Sequence, residues 1–159
     1  MSEYKLETSW ILWNHDLKDN NWNNDSYKKI YTINNLLDYK ILNEKITTNI
    51  LQSSMFFLMR NNIFPTWEDK NNKNGCCASY KIPSENIYDS WNKLVLNIIS
   101  ENIHNNIENY KYINGISIIP KKEFNLIKIW FSKNIKNIDS IININNDFIN
   151  NKNCRIKKN

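Results

Sequence analysis

Only two glycines and three prolines punctuate the 159 residues. A chain so poor in glycine carries no glycine-rich phosphate loop, and neither HExxH nor GxSxG occurs in it. Cysteine is equally sparse. Three residues, two of them adjacent (Cys76, Cys77), make neither a disulfide framework nor a second pair that would complete a zinc site. A thiol nucleophile at either position would need a nearby histidine. The two histidines, His15 and His104, stand in polar stretches and read as surface side chains. No apolar run approaches the ~20 residues of a membrane span. MSEYKLETSW has no apolar signal region, so a reduced, cytoplasmic compartment is expected, with no membrane partner. Like charges form no block, apart from the last five residues, Arg155-Ile156-Lys157-Lys158-Asn159. These absences weigh against an enzyme, and no cofactor or metal is called for.

What is present suffices for one domain over 1–159 with a sizeable core. Hydrophobic residues make up 41% and aromatics 13%, with six Trp and eight Tyr. The mean hydropathy of −0.63 comes mainly from asparagine, roughly a fifth of the chain, and not from disorder. The Asn/Ile/Lys excess reads as codon usage of an AT-rich genome. A net charge of +5 and a pI near 9.0 favour a polyanionic partner without selecting nucleic acid.

Pattern supplies the elements. TSWILW (8–13), SYKKIYTI (26–33), SSMFFLM (53–59), CCASYKI (76–82), YINGISII (112–119) and LIKIWF (126–131) read as strands. In the last, Ile127 and Ile129 point one way; Leu126, Lys128 and Trp130 point the other. Helical spacing predicts a helix over 35–46, with Asn34 or Asn35 as cap. A second is predicted over 84–100, capped by Ser84 after Pro83. In it Ile87, Trp91, Leu94, Val95 and Ile98 form one apolar stripe, so Trp91 reads as core. Residues 138–149 predict a third helix, and the terminus a short edge strand. Strands interleave with helices without βαβ regularity, which points to an α+β fold on an antiparallel sheet.

Two tryptophans escape these stripes. Trp22 lies in a polar stretch. Trp67 stands between Pro65 and an Asn-rich run ending at Gly75, directly before Glu68. An indole on a loop beside a carboxylate offers a flat apolar face and an acceptor edge. Such a pair suits something flat that carries adjacent N–H donors.

With those residues in place, the chain resembles the eukaryotic translation initiation factor 4E family, the cytoplasmic messenger-RNA cap-binding proteins. The resemblance runs from Trp10 to about Trp130. It rests on Trp10-x-x-Trp13, Trp22, Ser26-Tyr27-Lys28, Phe56-Phe57-Leu58-Met59-Arg60, Ile63-x-Pro65-x-Trp67-Glu68-Asp69, Asn71, Gly75, Trp91, Ile113-Asn114-Gly115 and Ile127-x-Ile129-Trp130. It implies a curved antiparallel sheet with about three helices on its convex face and a cap pocket on the concave side. Trp22 and Trp67 would sandwich the 7-methylguanine of capped mRNA. Glu68 would accept from guanine N1–H and N2–H, the Trp67 backbone N–H would serve O6, and Trp130 would touch the N7-methyl. Lys121 falls on the family's phosphate-binding position. An AT-rich source of this kind suits a protist or a large DNA virus.

The chain departs from the family pattern in three places. Leu126 and Cys77 stand where further phosphate-binding cations are expected, so the grip is expected to be thinner, or rebuilt from Lys122, Lys128, Arg155, Lys157 or Lys158. On the partner surface, which takes a helical peptide of an initiation factor 4G-like scaffold or a repressor, Leu36 and Lys40 hold the first-helix positions, and the expected indole is gone. Trp91, Asn92 and Leu96 hold the second-helix positions, Asn92 replacing an apolar residue. Only 29 residues follow Trp130, which implies a shortened loop over the nucleotide and a stripped core. The expected function is therefore a monomeric cap-binding protein that recruits capped messages for translation. The runner-up is a cap-binding repressor or decoy that bypasses the normal scaffold. A module that kept the fold and lost cap binding is a third reading. A decapping hydrolase is disfavoured by the lack of a metal-binding carboxylate cluster.

Overall fold

Residues of the strand SMFFLMR (Ser54–Arg60) alternate between two different interiors. Phe56 and Leu58 enter a large core; Phe57 and Met59 enter a smaller cluster on the opposite face. The same period of two recurs in Cys76–Ile82 and Asn125–Phe131. There Cys76, Ala78, Tyr80, Ile127, Ile129 and Phe131 face the large core, while Cys77 and Trp130 face the small one. A sheet apolar on both faces must be covered on one and can present the other.

The computed structural model describes residues 4–144 and 146–159. It contains β1 (Lys5–Asp16), β2 (Tyr27–Asn35), α1 (Leu36–Lys45), α2 (Thr48–Ser53), β3 (Ser54–Arg60), β4 (Cys76–Ile82), α3 (Ile87–Ile99), β5 (Ile113–Pro120), β6 (Asn125–Phe131) and β7 (Arg155–Lys158). The strands form one seven-stranded curved sheet in the order β2-β1-β3-β5-β6-β4-β7, antiparallel throughout. Among the described residues no helix is long and apolar enough to cross a membrane.

The helices cover the convex face. Asn35 caps α1 by accepting the Asp38 N–H at 2.8 Å, and Thr47 caps α2 by accepting from Ile50 at 3.2 Å. α3 buries Ile87, Trp91, Leu94, Val95, Ile98 and Ile99 against the large core. Each such side chain contributes roughly 1.5–3 kcal/mol by leaving water.

Several expectations are corrected here. Ser84 does not cap α3: a 3-10 turn, Ser84–Asn86, precedes the helix, and no side-chain cap bond forms. α2 was not expected. The predicted helix over 138–149 shrinks to one 3-10 turn, Ile138–Ser140. An asparagine side chain diverts backbone donors that a continuing helix would need. Asn137 Oδ1 only caps the turn through the Asp139 N–H, but Asn146 Oδ1 accepts those of Phe148 and Ile149. Ile138, Ile141, Ile142 and Ile149 are buried all the same; Asn145, inside that span, lies outside the described residues. Neither histidine is at the surface, His15 being fully buried and His104 8% exposed. β1 runs three residues past its expected end, to Asp16, and carries His15 inward.

Asparagine is also more than codon usage at two positions. Asn72, fully buried, donates from Nδ2 to the carbonyls of Phe64 (3.0 Å) and Thr66 (2.9 Å). Its Oδ1 accepts from Asn114 Nδ2 at 2.8 Å, which also reaches the Asn71 carbonyl. The loop between β3 and β4 is thus stitched to the start of β5.

Candidate functional site

The concave cluster of Phe57, Met59, Cys77 and Trp130 is bordered by Trp13, Tyr27, Met55, Ile63 and Trp67. Trp130 is 2% exposed, and its Nε1–H donates to Ser117 Oγ at 3.0 Å, which fixes the ring as a floor. Trp67 leans on it with ring centroids 5.4 Å apart at 46° and remains half-buried. Phe64 anchors the same loop, edge-on to Trp13 (5.0 Å) and Tyr27 (5.4 Å).

Two adjacent carboxylates on this loop do different work. Asp69 is spent on the backbone: it accepts the N–H groups of Phe64 (3.0 Å) and Asn71 (2.8 Å). Glu68 is exposed, and among the described residues nothing pairs with its carboxylate. Its charge reaches Tyr27, whose phenol is pushed up by burial first and by Glu68 second. The Trp67 backbone N–H also meets no acceptor among the described residues. A free carboxylate and a free N–H therefore flank one indole. Gly75 closes the loop where no side chain fits, since a Cβ there would overlap the Phe131 carbonyl.

Trp22 is built differently. It is 53% exposed, on a loop held by short side-chain turns: Asp16 to the Lys18 N–H, Asp19 to Asn21, and Asn21 to Asn23, each at 2.8 Å. One indole face lies flat on His15, centroids 4.0 Å apart at 5°. Both His15 ring nitrogens approach carbonyls, Asp16 O at 2.9 Å and Asn21 O at 2.8 Å. His15 thus ties the end of β1 to Asn21, next to Trp22, a role its sequence neighbourhood gave no sign of.

Cations gather beside Trp67. Lys128 Nζ lies 5.2 Å and Lys157 Nζ 5.8 Å from its ring centroid. Lys128, half-buried, is lowered mainly by burial; the charges of Lys157 and Lys121 add to that, and Cys77 opposes it. Lys121, Lys128, Arg155 and Lys157 line one groove of about 690 Å³; Lys122 and Lys158 do not. Leu126 lines the groove wall. Cys77 packs at the floor, and burial pushes its thiol up to about 12 despite Lys128. Such a thiol is no nucleophile at neutral pH.

On the convex back, Leu36 lines a separate cavity of about 480 Å³ with Leu6, Ile99 and Tyr110. Lys40 is exposed and Leu96 is 45% exposed, with Asn92 partly so. Trp91, counted with that surface on the resemblance, is only 3% exposed and sits in the core; its position on the α3 stripe turns it inward.

The family model for eukaryotic initiation factor 4E matches residues 5–157. The chain belongs to that family. Among known proteins it is similar to the eukaryotic translation initiation factor 4E homolog of Acanthamoeba polyphaga mimivirus. The two are 25% identical over 139 residues, 74% of this chain and 51% of the relative. The chain thus spans about half the length of that curated relative. Among solved structures, eIF4E-3 of Ascaris suum with an m7G cap superimposes with a TM-score of 0.74 at 22% identity, covering 85% of this chain and 77% of that one. The schistosome eIF4E, solved with m7GpppG and 4E-BP, gives 0.76 at 17% identity over 86% and 76%. These likenesses establish the initiation factor 4E fold, a curved antiparallel sheet backed by helices, as the sequence resemblance implied.

Proposed function

We propose that this chain binds the 7-methylguanosine cap of messenger RNA and recruits capped messages for translation in the cytoplasm. One observation carries the reading. A half-buried indole, Trp67, stands over the Trp130 floor with an unpaired carboxylate and an unpaired N–H at its edge. N7-methylation puts positive charge on a flat ring. Indole faces attract such a ring by stacking and cation–π contact, and a base stacked on an aromatic side chain is worth about 1–3 kcal/mol. Two ammonium groups, those of Lys128 and Lys157, already lie over this ring. Glu68 accepts the N1–H and N2–H pair that adenine lacks, a charge-assisted contact worth roughly 1.5–3 kcal/mol. Trp22, largely exposed, supplies the second wall. The lysine groove beside Trp67 takes the triphosphate.

The family membership and the cap-bound relatives in Ascaris suum and schistosomes support this assignment. The test is a fluorescence-quenching titration with 7-methyl-GTP against GTP. The methylated nucleotide should bind at least tenfold tighter; equal affinities would refute the cation–π account.

A second reading concerns the outcome of binding. Relatives have been solved with the binding proteins Mextli and 4E-BP. Here the cavity lined by Leu36 is open on the back, but exposed Lys40 and half-buried Asn92 stand where apolar contacts are expected. Losing an exposed indole removes a strong anchor. The partner is then a divergent scaffold or repressor peptide, and a repressor role follows if pull-down recovers capped RNA without a translation-promoting scaffold.

A further inference from the structure

The groove beside Trp67 continues past Lys128 and Lys157 to the β5–β6 turn that carries Lys121. Its far end is lined by Lys81, Pro83, Phe124, Phe148 and Asn153. Phe124 closes the β5–β6 turn, its carbonyl accepting the Lys121 N–H at 2.8 Å. Lys81 Nζ lies 4.8 Å over the Phe124 ring. Among the described residues five cations line the groove (Lys81, Lys121, Lys128, Arg155 and Lys157), and no carboxylate does. Along β6 the path from Lys128 back to Phe124 covers four residues, about 13 Å at the usual strand rise. At about 690 Å³ the groove falls within the size range of sites that enclose whole small ligands.

Aromatic rings interleaved with cations along a groove are the recurring chemistry of single-strand nucleic-acid tracks: the rings stack bases and the cations follow the phosphates. We propose that this far end holds the RNA strand downstream of the cap, the first transcribed base stacking on Phe124 and Lys81 pairing with the phosphate that follows it. The inference rests on the cap-binding reading, because the shared lysines Lys128 and Lys157 join the two sites.

The experiment is a fluorescence titration of wild type, Phe124→Ala and Lys81→Ala with three ligands: 7-methyl-GTP, the capped nucleotide m7GpppG, and its extension m7GpppGpG. Phe124→Ala should weaken m7GpppG about tenfold, within the range of one lost base stack, and leave 7-methyl-GTP within about twofold. Lys81→Ala should weaken m7GpppGpG several-fold and spare m7GpppG. Equal losses across all three ligands, or none, would overturn the proposal. If wild type fails to bind 7-methyl-GTP, the cap reading falls. The groove is then judged with an uncapped oligonucleotide of the same sequence: binding that depends on Phe124 supports it, and binding that ignores Phe124 overturns it.

Discussion

The two indoles proposed to close on the cap are held in unlike ways. Trp67 stands on a loop whose backbone is tied by Asp69, Asn72 and Asn114, and it leans on a ring fixed in the floor. Trp22 stands on a loop tied mostly to itself, with more than half its surface exposed and one buried ring beneath it. One wall is part of the packed molecule; the other rests against it. A rigid wall presents its edge groups without further ordering, so the loss of conformational freedom on binding falls mainly on Trp22. Trp67 and Glu68 should then dominate affinity, and Trp22 should tune it.

The sharpest test of that asymmetry is the pair of truncations. Trp67→Ala removes a stacking face and uncovers Trp130, so it should cost at least the upper end of one stack, about 3 kcal/mol, or over a hundredfold in 7-methyl-GTP affinity. Trp22→Ala should cost about 1 kcal/mol, roughly fivefold, because ordering its loop already subtracts from its contribution. Both are read by titration with the cap nucleotide, and circular dichroism checks the fold. Equal losses would erase the distinction between the walls.

Glu68→Ala comes next. It removes the edge contact without touching either ring, and about 2 kcal/mol, near thirtyfold, should be lost for 7-methylguanine. The same change should cost nothing measurable for a 7-methylated purine that lacks the N1–H and N2–H pair. Wild-type affinity in Glu68→Ala would mean that the free carboxylate reads nothing. Asp69→Ala is the control that separates reading from building, since Asp69 holds the loop through backbone N–H groups. It should lower thermal stability, which Glu68→Ala should not.

The same contrast explains what the sequence could show. Strands were legible because alternation survives in SMFFLMR and LIKIWF, where both faces are apolar yet differ in what they meet. The Trp67 loop was legible because Pro65, the Glu68–Asp69 pair and Gly75 constrain a short stretch locally. The 138–149 helix misled because its isoleucines carry the right burial while Asn146 diverts the hydrogen bonds. The terminal strand was expected at an edge, but no local pattern tells that β7 pairs with β4, which sets Lys157 beside Cys77 and Trp67. His15 was hidden for the same reason. Nothing at positions 14–16 reports that a ring seven residues away will lie on it.

His15 supplies the finest test of the looser wall. Its ring offers Trp22 a flat surface, and its nitrogens face the carbonyls of Asp16 and Asn21. His15→Phe keeps the ring and gives up the polar contacts; His15→Ala gives up both. If the stack positions Trp22, His15→Phe should bind 7-methyl-GTP within about twofold of wild type, while His15→Ala falls to the level of Trp22→Ala. The double variant His15→Ala with Trp22→Ala should then lose little more than either alone, because groups that act as a unit are non-additive. A His15→Phe variant as weak as His15→Ala would shift the role from the ring to the carbonyl contacts. A His15→Ala variant that binds like wild type would show that Trp22 finds its place without support, and the two walls would differ in exposure alone.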